Sequence, residues 1–352
     1  MRAIDFFCGG GGMTNGLIQA GIEVIAGVDL DPEAKETYEY NNRGATFVNA
    51  DITKLPLDYF AKEFDVAQND DDMVFVGCSP CQFYSIIRSS KEKSRKTKDL
   101  LLYFEKFIEY YRPGYILVEN VPGIMSNKET ILNDFLTKID ELGYGNKENG
   151  RCVYDVVNMK NYGIPQNRKR FSLIATRLEK TVHLPEHDNH IKTVREAIGD
   201  ENRFPKIPDG YRDENLERYH TTRKLAPINI QRIKKVKKNG GTRMAFKDNP
   251  DLQLKCYIGK DDSFRDVYGR LYWDRPSSTI TTKFLSFTNG RFGHPEQNRC
   301  ISVREGAELQ SFPYQYNFVT KNIQTAARLI GNAVPPEYGR RLGLLLQEVN
   351  NG

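Results

Sequence analysis

Two cysteines stand three residues apart in the segment VFVGCSPCQFYS, directly after an apolar run that predicts a buried strand. The spacing of Cys78 and Cys81 is that of half a zinc site or of a redox pair. No second Cys-x-x-Cys follows, and the histidines of HLPEHDNH are interrupted by a proline. We therefore expect no metal. Cys81, in a proline-stiffened loop at a strand end, is the better candidate for a nucleophilic thiolate.

An acid and two guanidinium groups are expected at other strand ends. Glu119 lies near the end of the apolar run YILVEN, and Arg168 and Arg170 belong to QNRKR, just before FSLIAT. A thiolate forms most readily beside positive charge. Taken singly, these residues are explained by an inert buried thiol, a surface carboxylate and a solvated basic face. Taken together, they predict a site that adds a thiolate across a polarised ring.

A glycine loop, CGGGGMTNG, is expected between a first strand, Ala3–Phe7, and a helix. Glycines let a backbone approach a nucleotide closely, and Asp29 ends the next strand, where a carboxylate can bind ribose hydroxyls. The loop has no lysine and lacks phosphate-loop spacing, so ATP hydrolysis is not expected. A ligand-free turn is the simpler alternative. From these residues alone, NAD and S-adenosylmethionine both remain open as cofactors.

The elements that must position these groups alternate between strand and helix patterns over the first half of the chain. Such alternation, with Val- and Ile-rich strands, predicts an α/β fold with a mostly parallel sheet whose ligands bind beyond the strand ends. The pattern breaks near Leu184 and returns near Cys300. We therefore expect a catalytic and cofactor-binding domain at 1–183, a smaller irregular domain at 184–290, and a segment at 291–352 that returns to the first domain.

Composition limits the possible classes. The 352 residues are 39% hydrophobic and 11% aromatic, enough for two domains, and the net charge of +5 does not by itself indicate nucleic acid. No run of 18 apolar residues and no signal-peptide pattern occur, so no membrane span is expected. Six irregularly spaced cysteines are not typical of a disulfide framework and suit a reducing, cytoplasmic setting.

Eight motifs in order, from Asp5 to Pro336, resemble those of the DNA (cytosine-5) methyltransferases. They are DFFCGGGGMTNGL, GVDLDPEAKETY, NADIT, SPCQ, ENV, QNRKR, SVREGAELQSFP and GNAVPP. The resemblance implies a Rossmann-like S-adenosylmethionine-dependent methyltransferase fold, with a smaller, irregular target recognition domain. It also implies transfer of a methyl group to carbon 5 of a cytosine that is flipped out of duplex DNA, with S-adenosylhomocysteine as the second product.

The resemblance also implies roles for individual residues. The Cys81 thiolate would add to carbon 6 of the cytosine, and Glu119 would bind nitrogen 3. Arg168 and Arg170 would hold the thiolate and the base oxygen, with Arg170 assigned to the base. The residues expected at the cofactor are Phe7, Gly9, Gly12, Asp29, Leu30, Asp51, Ile52, Pro80, Leu100 and Asn332.

Contacts to DNA are expected from the loop after Cys81 and from the irregular domain. KEKSRKTK would close over the DNA, and QRIKKVKK would reach phosphates, although a charge run is often only a solvated face. The candidate DNA-binding residues are Gln82, Ser85, Arg223, Arg232, Lys234, Lys235, Arg243 and Arg265.

The expected partners are double-stranded DNA and a separately encoded cognate restriction endonuclease, and the chain is expected to be a monomer acting at the nucleoid. Three alternatives stay open at this point. An RNA methyltransferase of the same fold would carry a Cys-Phe-Thr stretch after the acid motif, and none is present. A catalytically inactive DNA-binding relative would not need Cys81, Glu119 and both arginines. An NAD enzyme would have no use for SPCQ or QNRKR.

Overall fold

The computed structural model describes residues 1–80, 99–126 and 130–352. These residues form two compact units. The first consists of Met1–Asn158, Lys169–His187 and Ala333–Gly352, and the second of Met159–Arg168 and Asp188–Asn332. Within the described ranges, no helix combines the length and the apolar character that a membrane crossing requires.

The first unit is built on a seven-stranded sheet in the order β3-β2-β1-β4-β5-β8-β6. The five strands from β3 to β5 are parallel, and β8 runs antiparallel to both β5 and β6. The mostly parallel sheet predicted from the sequence is thus confirmed. Its strands are β1 (Arg2–Phe6), β2 (Glu23–Asp29), β3 (Thr46–Asn49), β4 (Met73–Gly77), β5 (Tyr115–Asn120), β6 (Cys152–Asn158) and β8 (Lys169–Thr176).

Helices connect these strands. They are α1 (Gly12–Gln19), α2 (Lys35–Asn41), α3 (Tyr59–Phe64), α4 (Leu100–Tyr111), α5 (Gly123–Ser126), α6 (Leu132–Ile139) and the C-terminal α11 (Pro336–Asn351). Every residue of β4 and β5 is buried, as expected for strands with helices on both faces. Phe6 at the end of β1 lies with its ring 5.1 Å from Phe104 and 5.3 Å from Phe75. This aromatic packing fixes the end of β1, where the glycine loop begins.

The first and last helices of the chain pack closely together in the first unit. A Cβ at Gly16 of α1 would collide with the backbone oxygen of Pro336 and the backbone nitrogen of Arg340 in α11. Glycine is therefore required at this position for steric reasons. The helix that follows the glycine loop is thus supported by the C-terminal end of the chain.

The second unit contains little regular structure. Its helices are α7 (Val194–Ile198), α8 (Pro227–Lys235), α9 (Val303–Leu309) and α10 (Ile323–Asn332), and a two-stranded ladder joins β7 (Gln166–Asn167) to β9 (Ser277–Ser278). Buried arginines compensate for the missing strands and helices. Arg270, only 1% exposed, donates to the carbonyl oxygens of Ile233, Val236 and His294 at 2.8–3.1 Å. A single side chain thus ties the end of α8 and the loop at His294 to the segment that contains Arg270.

A buried ion pair also holds this unit together. Arg299 and Glu305 are both fully buried, and two guanidinium nitrogens donate to the two carboxylate oxygens at 2.7 Å. Glu305 also completes a capping box with Ser302 at the start of α9. Residues 291–332, which the sequence assigned to the returning C-terminal segment, therefore pack with the second unit, and only Ala333–Gly352 belongs to the first.

Candidate active site

The nucleophile candidate Cys81 and the DNA candidates Gln82 and Ser85 lie outside the described residues, as does the segment KEKSRKTK. The backbone that leads to Cys81 is described up to Pro80. The backbone N–H of Cys78 donates to the carbonyl oxygen of Phe6 at 3.3 Å, which extends the pairing of β4 with β1 by one residue. Ser79 is buried, and Pro80 is exposed.

Asn120 holds Ser79, two residues before Cys81, in place. Its side-chain nitrogen donates to the hydroxyl of Ser79 at 3.1 Å and to the Ser79 carbonyl at 3.3 Å. Its side-chain oxygen accepts from the backbone N–H of Val121 at 2.8 Å. Asn120 was not among the predicted site residues, although it directly follows Glu119 in the motif ENV. In the structure, it couples the acid strand β5 to the segment that precedes the cysteine.

Glu119 and Arg170 form the central ion pair of the first unit. The Arg170 Nε lies 3.1 Å from the Glu119 carboxylate, and the two side chains are only 13% and 10% exposed. They come from neighbouring antiparallel strands, since Glu119 of β5 pairs with Ser172 of β8, two residues from Arg170. Such burial strengthens a charge pair and orients the carboxylate. Two of the four predicted catalytic residues are thus brought together.

Arg168 is placed differently from Arg170, although only one residue separates them. It belongs to the second unit, is 2% exposed, and donates to the carbonyl oxygens of Ile280 at 3.0 Å and Gly331 at 3.2 Å. Gln166 accompanies it by accepting from the Ile280 backbone N–H at 2.8 Å. The Gln-x-Arg part of QNRKR therefore binds backbone within the second unit, while the second arginine binds Glu119.

Cys78 is not in an environment that favours a thiolate. Burial, followed by the negative charges of Asp5 and Glu119, raises the pKa of its thiol well above the usual value. A thiol held protonated is a poor nucleophile. Cys78 is therefore a poor candidate for the nucleophile.

Beneath the glycine loop, Asp5 of β1 accepts a hydrogen bond from the Thr14 hydroxyl of α1 at 2.7 Å. Complete burial raises the pKa of Asp5 to about 7. Asp5 was not among the predicted site residues. Its bond to Thr14 spans the glycine loop from the strand before it to the helix after it, so it fixes the loop's two ends.

The glycine loop itself has the backbone of a ligand cradle. Phe7 has a left-handed φ of 64°, which is rare for an aromatic residue, and Gly9 follows at 51°. A Cβ at Gly9 would meet no atom within 4 Å, so the space above this backbone is open. The Gly9 N–H donates to the Asp29 carboxylate at 2.8 Å. The predicted residues Phe7, Gly9 and Asp29 therefore share one rim of the sheet.

The remaining cofactor candidates are divided between solvent and core. Leu30 is 67% exposed directly after Asp29, whereas the Ile52 side chain is only 5% exposed and packs in the core. Asp51 accepts from the Thr53 hydroxyl at 2.8 Å, and this bond lowers the pKa of Asp51. Gly12 begins α1 and Leu100 begins α4. Asn332 ends α10 in the second unit.

The predicted DNA-binding residues of the second unit fall into two groups. Arg223, Lys234 and Lys235 are exposed, and Arg265 is exposed in an ion pair with Asp262. Arg232 and Arg243 are 9% and 4% exposed, respectively. The Arg232 Nε donates to the Leu252 carbonyl at 2.9 Å, and Arg243 donates to three carbonyls of the loop at 260–264. These two arginines hold the fold of the unit, so we now assign them a structural role.

Among the residues that the structure describes, no group of three or more His, Cys, Asp or Glu side chains is placed to hold a metal ion.

Known protein families and sequences include clear relatives of this chain. A family model described as C-5 cytosine-specific DNA methylase matches residues 1–347. The type II methylase M.HgiDII of Herpetosiphon aurantiacus is 37% identical to this chain, over 96% of the chain and 92% of that protein. The type II methyltransferase M1.BsuMI of Bacillus subtilis is 29% identical, over 97% and 79%, respectively.

Solved structures agree in fold. A prophage-encoded protein of E. coli, described as a DNA modification methyltransferase, superposes with a TM-score of 0.75 at 21% identity, over 100% of both chains. The S. pombe Dnmt2 methyltransferase superposes with a TM-score of 0.63 at 18% identity, over 99% of both chains. At these identities, the likeness establishes the Rossmann-like methyltransferase fold.

Proposed function

Because this chain belongs to the C-5 cytosine-specific DNA methylase family, we propose that it methylates carbon 5 of a flipped cytosine through a covalent adduct at Cys81. The buried Glu119–Arg170 pair carries this proposal, since it supplies an oriented carboxylate beside the strand that leads to Cys81. The target base must leave the duplex because both faces of its ring are otherwise stacked.

We propose the following division of labour. The Cys81 thiolate adds to carbon 6 while Glu119 binds nitrogen 3 and holds a proton there, which makes carbon 5 electron-rich. Arg170 orients Glu119 and binds the base oxygen. After the methyl group arrives at carbon 5, loss of the carbon-5 proton and of the Cys81 sulfur restores the aromatic ring. Arg168, committed to the carbonyls of Ile280 and Gly331, serves by holding the backbone that precedes Arg170.

The glycine loop fits S-adenosylmethionine, the cofactor that the family and fold imply. When bound, it would supply an activated methyl group on a positively charged sulfur. The open space above Gly9 leaves room for the cofactor against the backbone of the loop. We propose that Asp29 binds the ribose hydroxyls. Leu30, exposed beside Asp29, offers an apolar surface for the adenine. Phe7, Gly12, Asp51, Ile52, Pro80, Leu100 and Asn332 remain our proposed contacts to the rest of the cofactor.

We further propose that the second unit is the target recognition domain and that its exposed Arg223, Lys234 and Lys235 contact DNA phosphates. The similarity to proteins named as type II methylases supports a role as the modification enzyme beside a separately encoded endonuclease. The chain would then act in the cytoplasm on the nucleoid.

The direct test is bisulfite sequencing of DNA from cells that express this chain, compared with cells that express a Glu119→Gln variant. Protected cytosines at one recurring sequence, present only with the parent, are expected. If folded protein is present and no sequence is protected, the proposal is contradicted.

Asp29→Ala is expected to weaken S-adenosylmethionine binding by about 1–3 kcal/mol, the range for losing a hydrogen bond to a charged group. The substitution removes the expected ribose contact. It also removes the carboxylate that accepts the hydrogen bond of the Gly9 N–H. Isothermal titration calorimetry measures the change directly. Glu36→Ala, on the exposed surface of α2, removes the same charge and should leave affinity unchanged. Equal affinity in both variants would place the ribose contact elsewhere.

A further inference from the structure

A loop of the second unit, residues 258–264, presents two large apolar side chains to solvent. Ile258 is 59% exposed and Phe264 is 60% exposed. A single exposed apolar side chain needs no explanation, but two on one loop of seven residues suggest a function. The sequence-based interpretation of this unit considered only its cations, so these two residues have no role so far.

The backbone conformation at Phe264 is also unfavourable for a bulky residue. Its φ is 53°, in the left-handed region that glycine and asparagine adopt readily and bulky residues seldom do. Phenylalanine at this position is therefore disfavoured both by its exposure and by its backbone conformation. Strain of this kind persists where the surrounding structure enforces it, and it is concentrated at functional positions.

Hydrogen bonds from Arg243 hold the loop in this conformation. It is 4% exposed and donates to the carbonyl oxygens of Ser263 at 2.7 Å and Phe264 at 3.3 Å, and also to that of Lys260. Its guanidinium lies 4.7 Å from the centre of the Tyr257 ring, and the Phe264 ring centre is 5.9 Å from that of Tyr257. The loop is thus held at both ends, and the Phe264 side chain is oriented without being buried.

The two acidic residues of this loop form ion pairs with cations, Asp261 with Lys247 at 3.1 Å and Asp262 with Arg265 at 2.5 Å. Asp266, just after the loop, pairs with Arg291 at 2.9 Å. The pairing reduces the repulsion that the carboxylates would exert on phosphates. Because Arg265 is already paired, the loop offers DNA an apolar contact in place of a strong electrostatic one.

We propose that Phe264, together with Ile258 on the same loop, contacts the 5-methyl group of a thymine in the major groove and so helps to choose the methylated sequence. The reason is chemical, since the thymine methyl is the apolar group that base edges present in that groove. This inference rests on the proposed function, because it requires that the second unit binds duplex DNA.

The first step of the test finds the thymine. The parent protein is assayed on a randomised duplex library, and bisulfite sequencing gives the preferred site and its flanks. Each preferred thymine is then replaced by uracil, which removes only the 5-methyl group. At one position, the parent should lose about four-fold or more in kcat/KM, the factor that corresponds to one buried methyl group.

The second step asks whether Phe264 reads that methyl group. Phe264→Asn removes the apolar side chain and introduces a residue that tolerates the left-handed backbone. The melting temperature of the variant should therefore be at least that of the parent. The variant should methylate thymine and uracil duplexes equally well, with its rate on both near that of the parent on uracil. Ile191→Asn, at an apolar residue 40% exposed elsewhere in the unit, should keep the parent's preference for thymine.

The possible failures are distinguishable. If the parent methylates no DNA, the proposed function fails. If the parent methylates a defined site but no thymine-to-uracil change affects it, only the inference about Phe264 is overturned. It is also overturned if Phe264→Asn lowers the rates on thymine and uracil duplexes by the same factor, since that result indicates a purely structural loop.

Discussion

Cys81→Ser is expected to lower methyl transfer by about 10⁴-fold or more, the scale seen when a covalent nucleophile is removed. A serine hydroxyl ionises far less readily than a thiol and cannot add to carbon 6 at a useful rate. On duplexes with 5-fluorocytosine at the target, the parent should form an adduct that survives denaturation, because fluorine cannot leave as a proton does. The variant should form none, as measured by a denaturing gel shift and by mass spectrometry of the peptide.

Cys78→Ser provides the matched control. Its thiol stands three residues away, and burial together with Asp5 and Glu119 keeps its pKa high. We therefore expect Cys78→Ser to retain most of the activity and the whole adduct yield. An adduct mapped to Cys78, or a Cys81→Ser protein that still forms one, would contradict the assignment of the nucleophile.

Glu119→Gln is expected to lower the rate by about 10²–10⁴-fold, the usual contribution of a positioned acid or base. The amide keeps the size of the side chain but cannot hold and release a proton at nitrogen 3. It also loses the charge that faces Arg170 at 3.1 Å. Single-turnover methylation measures the chemical step, and calorimetry should show that S-adenosylmethionine binding is unchanged.

Asp155→Asn is a suitable control for this substitution. Asp155 lies on β6 of the same sheet, where it pairs with Ser172 of β8, and its side chain is exposed. Its neutralisation removes one negative charge from the unit without touching the Glu119–Arg170 pair, so the methylation rate should stay within about two-fold of the parent. A comparable loss in both variants would point to net charge and away from Glu119.

The fold of the first unit could be predicted because its local signals agree with its tertiary structure. YILVEN begins with four consecutive apolar residues, and the structure buries all six residues in β5. Asp31, directly before Pro32, is of a residue type that favours the N-cap position, and its side chain accepts from the Glu33 backbone N–H at 3.2 Å. Burial and capping are properties of short segments, and short segments are what a sequence displays directly.

The second unit could not be predicted in the same way because its stability depends on contacts between distant segments. Arg232 and Arg243 were candidate DNA contacts in a basic, irregular stretch. Their donors instead bind carbonyl oxygens 17 to 21 residues further along the chain. Arg270 likewise binds the carbonyl oxygen of Ile233, 37 residues before it. No pattern of residue types distinguishes such an arginine from an exposed one. The left-handed backbone of Phe7 was invisible for a similar reason, since φ is set by the surrounding packing.

The order of synthesis has a consequence for the first unit, whose two chain ends meet. The backbone N–H of Arg2 donates to the carbonyl of Asp72 at 3.0 Å, and the side chain of Asn350 donates to the carboxylate of the same residue at 2.9 Å. Helix α1, which follows the glycine loop, packs closely against α11 at Gly16. At about 5–20 residues per second, a ribosome needs on the order of tens of seconds to reach that helix.

During this interval, α1 of the nascent first unit lacks its contact with α11, whereas the ribosome has already made the continuous segment Asp188–Asn332, which forms most of the second unit. We therefore expect a chain truncated before Pro336 to contain most of the second unit but to lack the helix that packs against α1. If the second unit binds DNA as proposed, such a product would occupy DNA without modifying it. The late synthesis of α11 thus makes the glycine loop one of the last parts of the first unit to gain its full packing.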